Sequence, residues 1–117
     1  MIKGIGLDII ELQRIAQLVT RSPHFYKRIL TENERRFYES SIPSRQIEYL
    51  AARFAVKEAY GKALGTGIGK GCSFQDIEVA KELGGAPYLL FRGEDVNGYV
   101  SITHTREYAA AQVILLS

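Results

Sequence analysis

The stretch from Arg45 to Gly65 constrains the fold more than any other part of the chain. Its length, its content of Ala, Leu, Lys and Glu and its periodicity predict one long helix, with Ser44 as the cap before it. At about 100° per residue, one narrow stripe of this helix collects Ile47, Leu50, Ala51, Phe54 and Glu58. A carboxylate in an apolar stripe is costly unless it is paired, hydrogen-bonded or bound to a metal. Glu58 is therefore the first residue that needs a physical explanation.

The same helix carries a second apolar face, formed by Tyr49, Ala52, Val56, Tyr60 and Ala63. Two apolar faces predict that the helix is covered on both sides, either by the rest of its own chain or by a partner subunit. Arg53 and Lys57 are assigned to the polar margin between the two faces, and Lys62 lies one turn beyond Glu58. Gly61 costs about 1 kcal/mol relative to alanine inside a helix, and it indicates close packing against the backbone.

Composition limits the class of protein. The chain has 117 residues, 46% of them hydrophobic, which suits a single domain over residues 1–117 with one core. The net charge of +2 excludes a polycation, and the lone Cys72 excludes an internal disulfide and favours a reducing, cytoplasmic compartment. Cys72 is interpreted as a small, partly buried side chain. The N-terminus does not resemble a signal peptide, and no apolar run approaches the roughly 20 residues of a membrane span, so no membrane is expected.

Alternation from Ile2 to Ile9 predicts a strand. The core side is assigned to Ile5, Leu7 and Ile9. The opposite side carries Gly4, Gly6 and Asp8. Because glycine has no side chain, this opposite side leaves room for another backbone or a ligand to approach.

Asp8 has two interpretations. Its spacing from Glu11 is that of a capping box, so Asp8 would cap a helix predicted from Glu11 to about Thr20. Alternatively, Asp8 is an oxygen ligand for a hard cation, which needs a second carboxylate from elsewhere in the chain. The local pattern leaves both open.

A basic segment lies between Arg14 and Leu30 and contains no acidic residue. Its fixed positive charges are Arg14, Arg21, Lys27 and Arg28. A solvated surface is the simpler interpretation, but in a nearly neutral molecule such a segment favours a docking patch for an acidic partner. Nucleic acid and a strongly acidic protein both fit. No helix-turn-helix, RNA-recognition or zinc signature accompanies the segment, and its aromatic residues do not form a stacking platform.

The remaining pattern runs from helices to strands. Thr31 and Glu34 form a capping box that opens a helix to about Ser40, with Phe37 facing inward. Strands are predicted over residues 73–80, 87–91, 99–104 and 108–116. Asn97-Gly98 is a hairpin signal before the third of these strands. We therefore predict an α+β fold, with a mostly antiparallel sheet wrapped on the long central helix of a single compact domain.

Two segments are candidates for contact with a phosphate. Residues 65–71 are glycine-rich but lack both the glycine and the hydroxyl residue that a Walker loop requires, and they follow a helix, so they are interpreted as a flexible connection. His104, Thr105 and Arg106 lie between the last two predicted strands. A histidine there is usually structural or exposed, although the three side chains are also compatible with a phosphate.

Asp8, Glu58 and Lys62 together suit a magnesium-assisted reaction at a phosphate, with carboxylate oxygens for the metal and an ammonium to neutralise developing charge. Spacing alone does not show that Asp8 and Glu58 meet. A structural alternative pairs Glu58 with Lys62 at i,i+4. Such a pair contributes only about 0.2–0.5 kcal/mol on an exposed surface, too little to offset a buried carboxylate.

Several segments together resemble a known family. They are GIGLDIIE at 4–11 with Arg14, RFAVKEAYGKA at 53–63 leading into GTG at 65–67, SFQDI at 73–77 and SITHT at 101–105. The combination is similar to the bacterial holo-[acyl-carrier-protein] synthases, the short class of 4′-phosphopantetheinyl transferases, over essentially the whole chain. The F-x-x-K-E-A-x-x-K motif with an upstream G-x-D is highly specific. Gly61 departs from the pattern, since relatives commonly carry serine there.

The resemblance implies a 4′-phosphopantetheinyl transferase-like fold and the transfer of 4′-phosphopantetheine from coenzyme A to a serine of apo acyl carrier protein. Adenosine 3′,5′-bisphosphate would leave, and the reaction would serve fatty acid biosynthesis. By this resemblance, Asp8 and Glu58 hold Mg²⁺ against the coenzyme A pyrophosphate. Glu58, directly or through a water, helps to deprotonate the serine, while Lys62 offsets charge on the phosphates.

The resemblance also implies how the partners bind. The candidates for the nucleotide 3′-phosphate are Arg45, Arg53, His104 and Thr105. Carrier proteins are acidic, so the docking face is predicted to contain Arg14, Arg21 and Arg28. The resemblance also implies a homotrimer with clefts between subunits, which would account for the doubly apolar helix. The alternative from another class is a basic binding module, for nucleic acid or an acidic protein, without catalysis.

Overall fold

The computed structural model describes residues 1–117, and the other helices and strands pack around one central helix. The helices are α1 (Leu12–Arg21), α2 (Tyr26–Ile29), α3 (Glu32–Glu39) and α4 (Pro43–Leu64), and a 3₁₀ turn spans Phe74–Asp76. The strands are β1 (Ile2–Glu11), β2 (Ile77–Lys81), β3 (Pro87–Phe91), β4 (Glu94–Asp95), β5 (Gly98–His104) and β6 (Tyr108–Leu116). They form two antiparallel sheets, β1-β6-β5 and β2-β3-β4, packed on α4. This arrangement confirms the α+β prediction.

Helix α4 begins earlier than predicted and is enclosed by its own chain. Its cap is Ile42 rather than Ser44. Pro43 suits the first helical position, because a backbone nitrogen there has no acceptor within the helix and proline has no N–H to satisfy. The helix ends at Gly65, whose φ of 86° is left-handed. None of the helices combines the length and apolarity needed to cross a membrane.

Both apolar faces of α4 are covered within the chain. On the second face, Val56 is fully buried and the ring of Tyr60 stacks on Phe91 at 5.6 Å. A partner subunit is therefore not needed to explain that face. Assigning Arg53 and Lys57 to a polar margin was wrong, because surrounding elements leave them only 8% and 0% exposed.

Strand β1 faces the opposite way from the prediction. Ile5, Leu7 and Ile9 are 57%, 61% and 64% exposed, whereas the glycine side lies on α4. A Cβ atom on Gly4 would lie 2.0 Å from the Ala63 carbonyl oxygen, and one on Gly6 would lie 1.8 Å from that of Ala59. The glycines thus permit direct backbone contact between strand and helix, which a larger side chain would prevent.

Strand β1 also continues three residues beyond Asp8. The cap of α1 is Glu11, without a side-chain hydrogen bond, so the interpretation of Asp8 as a helix cap was wrong. Asp8 instead sits inside the strand, opposite Ala111 of β6. Its carboxylate is thereby free of any capping role.

Local patterns elsewhere had mixed outcomes. The Thr31 and Glu34 capping box is confirmed, but the inward residue of α3 is Tyr38, which is 3% exposed, while Phe37 is 50% exposed and stacks on Tyr49. Residues 74–76 form a 3₁₀ turn before β2 rather than part of a strand.

The Asn97-Gly98 hairpin was wrong. Strand β5 pairs with β6 rather than with β4, so the chain crosses here from one sheet to the other. The carbonyl of Asn97 accepts a hydrogen bond from the amide of Leu116, which anchors this crossing to the end of β6. The turn residues at 97–98 therefore mark a passage between sheets.

Candidate active site

Asp8, Glu58 and Lys62, here called the carboxylate cluster, meet where β1 crosses α4. The Nζ atom of Lys62 lies 3.0 Å from Oδ1 of Asp8 and donates a second hydrogen bond, of 2.9 Å, to the Leu7 carbonyl. Because Gly6 lets β1 lie directly on α4, Asp8 two residues later on the same side of the strand reaches the helix. The Asp8 side chain is only 16% exposed.

Glu58 is half-buried beside Asp8. Burial raises the pKa of the Glu58 carboxyl, and the negative charge of Asp8 raises it further, against the opposing charges of Lys62 and Arg14. The ion pair of Lys62 is with Asp8, not with Glu58 as the i,i+4 alternative required. Glu58 is thus a half-buried carboxylate beside another carboxylate, the costly arrangement that its place in the apolar stripe predicted.

The donor set of the cluster fits magnesium. Mg²⁺ prefers oxygen ligands and is commonly held by one or two carboxylates, with the remaining positions taken by water and substrate phosphates. Two adjacent carboxylates are a favourable place for a divalent cation, because its charge relieves their repulsion. No group of three or more His, Cys, Asp or Glu that could hold a metal occurs in the structure, so this pair is the donor set to test.

A second group of predicted residues lines a cavity of about 310 Å³, here called the arginine pocket. Its polar lining includes Arg45, Glu48, Tyr49, Arg53, Lys81 and His104. The Arg53 guanidinium lies 4.0 Å from the centre of the Tyr49 ring, and its buried Nε has no hydrogen-bond partner. Nε2 of His104 lies 3.3 Å from Oε2 of Glu48. Concentrated positive charge with an unpaired donor suits an anion.

Sequence reasoning missed Tyr49 and Lys81 in this pocket. Tyr49 had been assigned to an apolar face, and only its stacking against Arg53 shows a polar surrounding. Lys81 comes from the end of β2, far away in sequence. Tyr49 precedes Arg53 by four residues in α4, a spacing from which their contact could have been inferred, whereas Lys81 carried no local signal.

Thr105 lies outside the lining of the arginine pocket. Its hydroxyl oxygen accepts hydrogen bonds from the amides of Glu107 and Tyr108, at 3.2 and 3.1 Å, and closes the turn between β5 and β6. A threonine followed by a short polar turn is a pattern from which this structural role could have been read.

The carboxylate cluster and the arginine pocket are separate within one chain. Glu58 follows Arg45 by 13 residues, which places them about 20 Å apart along the axis of α4. Arg45 and Arg53 also lie about 140° around the helix from Glu58 at 100° per residue. One chain therefore presents the two groups of predicted residues on different sides of its central helix.

The three predicted docking arginines all lie on the α1–α2 segment. Arg14, Arg21 and Arg28 are exposed, and none of them forms an ion pair within the chain. Arg14 is close enough to Glu58 for its charge to lower the pKa of that carboxyl. The Arg14 end of this basic segment therefore adjoins the carboxylate cluster.

Comparison with known proteins gives consistent matches over the full length. The model of the 4′-phosphopantetheinyl transferase superfamily matches residues 4–113. The holo-[acyl-carrier-protein] synthase of Geobacillus sp. (strain WCH70) is 52% identical over 98% of this chain and 97% of the relative. That of Listeria innocua is 54% identical over 98% of each chain.

Solved structures agree in fold. The holo-(acyl-carrier-protein) synthase of Bacillus anthracis in complex with CoA (3′,5′-ADP) has a TM-score of 0.87 and 50% identity, covering 98% of this chain and 96% of that one. The synthase of Neisseria meningitidis has a TM-score of 0.89 and 32% identity, covering all of both chains. With matches of this extent, the chain belongs to the 4′-phosphopantetheinyl transferase superfamily and, within it, to the holo-[acyl-carrier-protein] synthases.

Proposed function

We propose that this protein transfers 4′-phosphopantetheine from coenzyme A to a serine hydroxyl of apo acyl carrier protein, with Mg²⁺ as cofactor and adenosine 3′,5′-bisphosphate as the leaving product. The observation that carries the proposal is the meeting of Asp8, Glu58 and Lys62 at the crossing of β1 and α4. Family membership and the relative bound to CoA (3′,5′-ADP) support the choice of substrate. We also propose that the protein is cytoplasmic and that the transfer serves fatty acid biosynthesis.

In this reaction the serine oxygen forms a bond to the phosphorus that carries the pantetheine arm, and the bond from that phosphorus to the bridging oxygen breaks. Glu58 takes the serine proton, directly or through a water, and its raised pKa brings it closer to the working pH of a base. Lys62 neutralises charge that develops on the phosphates. Asp8 and Glu58 would hold magnesium, which supplies positive charge to the pyrophosphate when bound.

The arginine pocket is the proposed site of the nucleotide 3′-phosphate. Arg53 offers an unpaired buried donor, and Arg45 and His104 add donors at the same cavity. Thr105 lies outside the lining of this pocket, next to His104 in the chain, and its hydroxyl hydrogen is not used by the two amide hydrogen bonds that the oxygen accepts, so it stays a candidate donor to a phosphate oxygen.

The separation of the two groups of residues supports sites shared between subunits of a homotrimer. Arg45 lies about 20 Å from Glu58 along α4, and both Arg45 and Arg53 lie about 140° around the helix from it, so a coenzyme A that contacts both groups is accommodated more readily when a second copy supplies one of them. The outward row of Ile5, Leu7 and Ile9 on the sheet β1-β6-β5 offers an apolar surface for that copy. A contiguous apolar row of this kind typically marks an interface.

Introducing a charge into this apolar row should dissociate the protein into monomers. In Leu7→Glu, a carboxylate would have to be buried at the interface, so we expect monomers and a transfer rate reduced at least about tenfold. Analytical ultracentrifugation and the transfer assay measure the two effects. Leu83→Glu, at a fully exposed position between β2 and β3, is the matched control and should remain a trimer. A monomeric wild-type protein, or a Leu7→Glu protein that is trimeric and fully active, would contradict the interface.

The test of the proposed function is a direct transfer assay. We expect incubation with coenzyme A, Mg²⁺ and apo acyl carrier protein to increase the mass of the carrier by one phosphopantetheine arm, and excess EDTA to abolish the increase. A binding module without catalysis would leave the mass unchanged at every Mg²⁺ concentration. Mass spectrometry of the intact carrier separates the two results.

A further inference from the structure

The short helix α2 carries Arg28 but has little means of holding its own shape. It has only four residues, Tyr26–Ile29, and a helix of that length is not stable by itself. The carbonyls at its carboxyl end lack partners within the helix. Side chains from three other elements supply hydrogen bonds to this end.

The three donors come from α3, the 3₁₀ turn and α4. Arg35 donates from Nε to the Leu30 carbonyl at 3.1 Å and from its guanidinium to the Lys27 carbonyl. Gln75 donates to the same Lys27 carbonyl at 2.6 Å. Lys57 donates from Nζ to the Ile29 carbonyl at 2.7 Å. All three elements therefore converge on the segment that flanks Arg28.

Lys57 is itself held in place by a buried network. Its Nζ lies 2.6 Å from Oε1 of Glu34, and both residues are almost completely buried. The same carboxylate accepts hydrogen bonds from the amides of Thr31 at 2.9 Å and Val79 at 2.8 Å. A buried ion pair is weak evidence for stability, but one with so many partners fixes geometry. Lys57 immediately precedes Glu58 in α4.

We propose that Arg35, Lys57 and Gln75 are positioning residues that fix α2, and with it Arg28, relative to Glu58 on α4. The inference rests on the proposed function and on the prediction that Arg28 belongs to the carrier-protein docking surface. A carrier protein then meets Arg28 in a preformed position, so no binding energy is spent on ordering α2. Loosening α2 raises the KM for carrier protein, while kcat at saturating carrier and the KM for coenzyme A stay unchanged.

The test compares Arg35→Met with Arg36→Met. Both remove one positive charge from adjacent positions of α3, but the Arg36 side chain has its hydrogen bond and ion pair with Asn33 and Glu32 of its own helix. Arg35→Met loses two hydrogen bonds to the α2 end, so its KM for carrier protein should rise about tenfold, against less than about twofold for Arg36→Met. A uniform loss of folded protein would lower kcat with both substrates and leave each KM unchanged.

Gln75→Leu provides a second variant from another element, in case Arg35→Met does not fold. It removes one hydrogen bond to the Lys27 carbonyl and should raise the same KM about threefold. Equal KM values for carrier protein in Arg35→Met, Gln75→Leu and Arg36→Met would overturn the inference.

The Arg28→Glu variant tests the docking surface separately from the positioning role. If it raises the KM for carrier protein while Arg35→Met and Gln75→Leu do not, docking stands and the positioning role is overturned. If Arg28→Glu leaves that KM unchanged, the docking surface is wrong and the positioning role is overturned with it. Raised KM values in all three variants, with the KM for coenzyme A constant, support both.

Discussion

Replacing Glu58 with glutamine is expected to lower kcat by about 10²- to 10⁴-fold, the range that a general base contributes, while the protein remains folded. Glutamine keeps the size of the side chain but removes its charge, and with it the proposed Mg²⁺ ligand and the proposed acceptor of the serine proton. Glu32→Gln, which removes an exposed carboxylate from α3, is the matched control and should keep wild-type activity. Glu58→Gln activity near the wild-type rate at ordinary Mg²⁺ would exclude both roles of Glu58.

The same substitution should stabilise the protein in the absence of metal. Burial and then the charge of Asp8 raise the pKa of Glu58, so the folded state binds its proton more tightly than the unfolded state does. Ionised Glu58 therefore destabilises the fold above its folded pKa, and that cost disappears as the pH falls through the folded pKa to the unfolded value of about 4.3. Calorimetry without Mg²⁺ should show a higher Tm for Glu58→Gln at neutral pH and no difference near pH 4.

Activity of the wild-type protein should follow the same titration in the opposite sense. Only ionised Glu58 can accept a proton or bind a cation, so kcat should decline as the pH falls through its raised pKa. The decline therefore begins at a higher pH than the titration of an ordinary glutamate, about 4.3, would give. Added Mg²⁺ should move the decline to lower pH, because the cation competes with the proton.

Replacing Gly6 with alanine is expected to cost about 3 kcal/mol or more of unfolding free energy, beyond the usual range for overpacking. The new Cβ atom would lie 1.8 Å from the Ala59 carbonyl oxygen and 2.8 Å from the Ala63 amide nitrogen. Both obstacles are backbone atoms of α4, so no side chain can rotate to make room. Strand and helix must separate instead.

That separation should also affect activity. Asp8 lies two residues along the same strand, so moving β1 away from α4 takes its carboxylate away from Glu58 and Lys62. We expect transfer to fall at temperatures where Gly6→Ala is still folded. Gly84→Ala is the control, since a Cβ atom there meets nothing within 4 Å. Urea unfolding curves for the two variants measure the difference, and equal midpoints would show that β1 tolerates displacement.

Several features followed from local sequence alone. A long helix with regular periodicity, a capping box at Thr31 and a strand over residues 108–116 each depend on neighbours a few positions away. Glu58 could be singled out for the same reason, because a charge in an apolar stripe is visible within one helix. Family motifs then linked these local features to a transferase.

The face of β1 is the clearest case in which the sequence pattern was insufficient. Period-two alternation shows that two faces differ but not which one is covered, and the apolar side was assigned to the core by default. The structure buries the glycine side because α4 lies on it at backbone distance. The apolar side is left outward, where we propose that a second copy covers it.

A long helix from Arg45 onward was determined by the sequence, as was the anomaly of Glu58 within it, whereas its start at Pro43 was not predicted. The partners of two of its charged residues were decided only by the tertiary structure: Lys62 with Asp8 and Lys57 with Glu34. The physical reason is that these ion pairs depend on distances between segments up to 54 residues apart, which periodicity within one helix does not contain. Only the packing of β1 on α4 turns an isolated acid into half of a carboxylate pair.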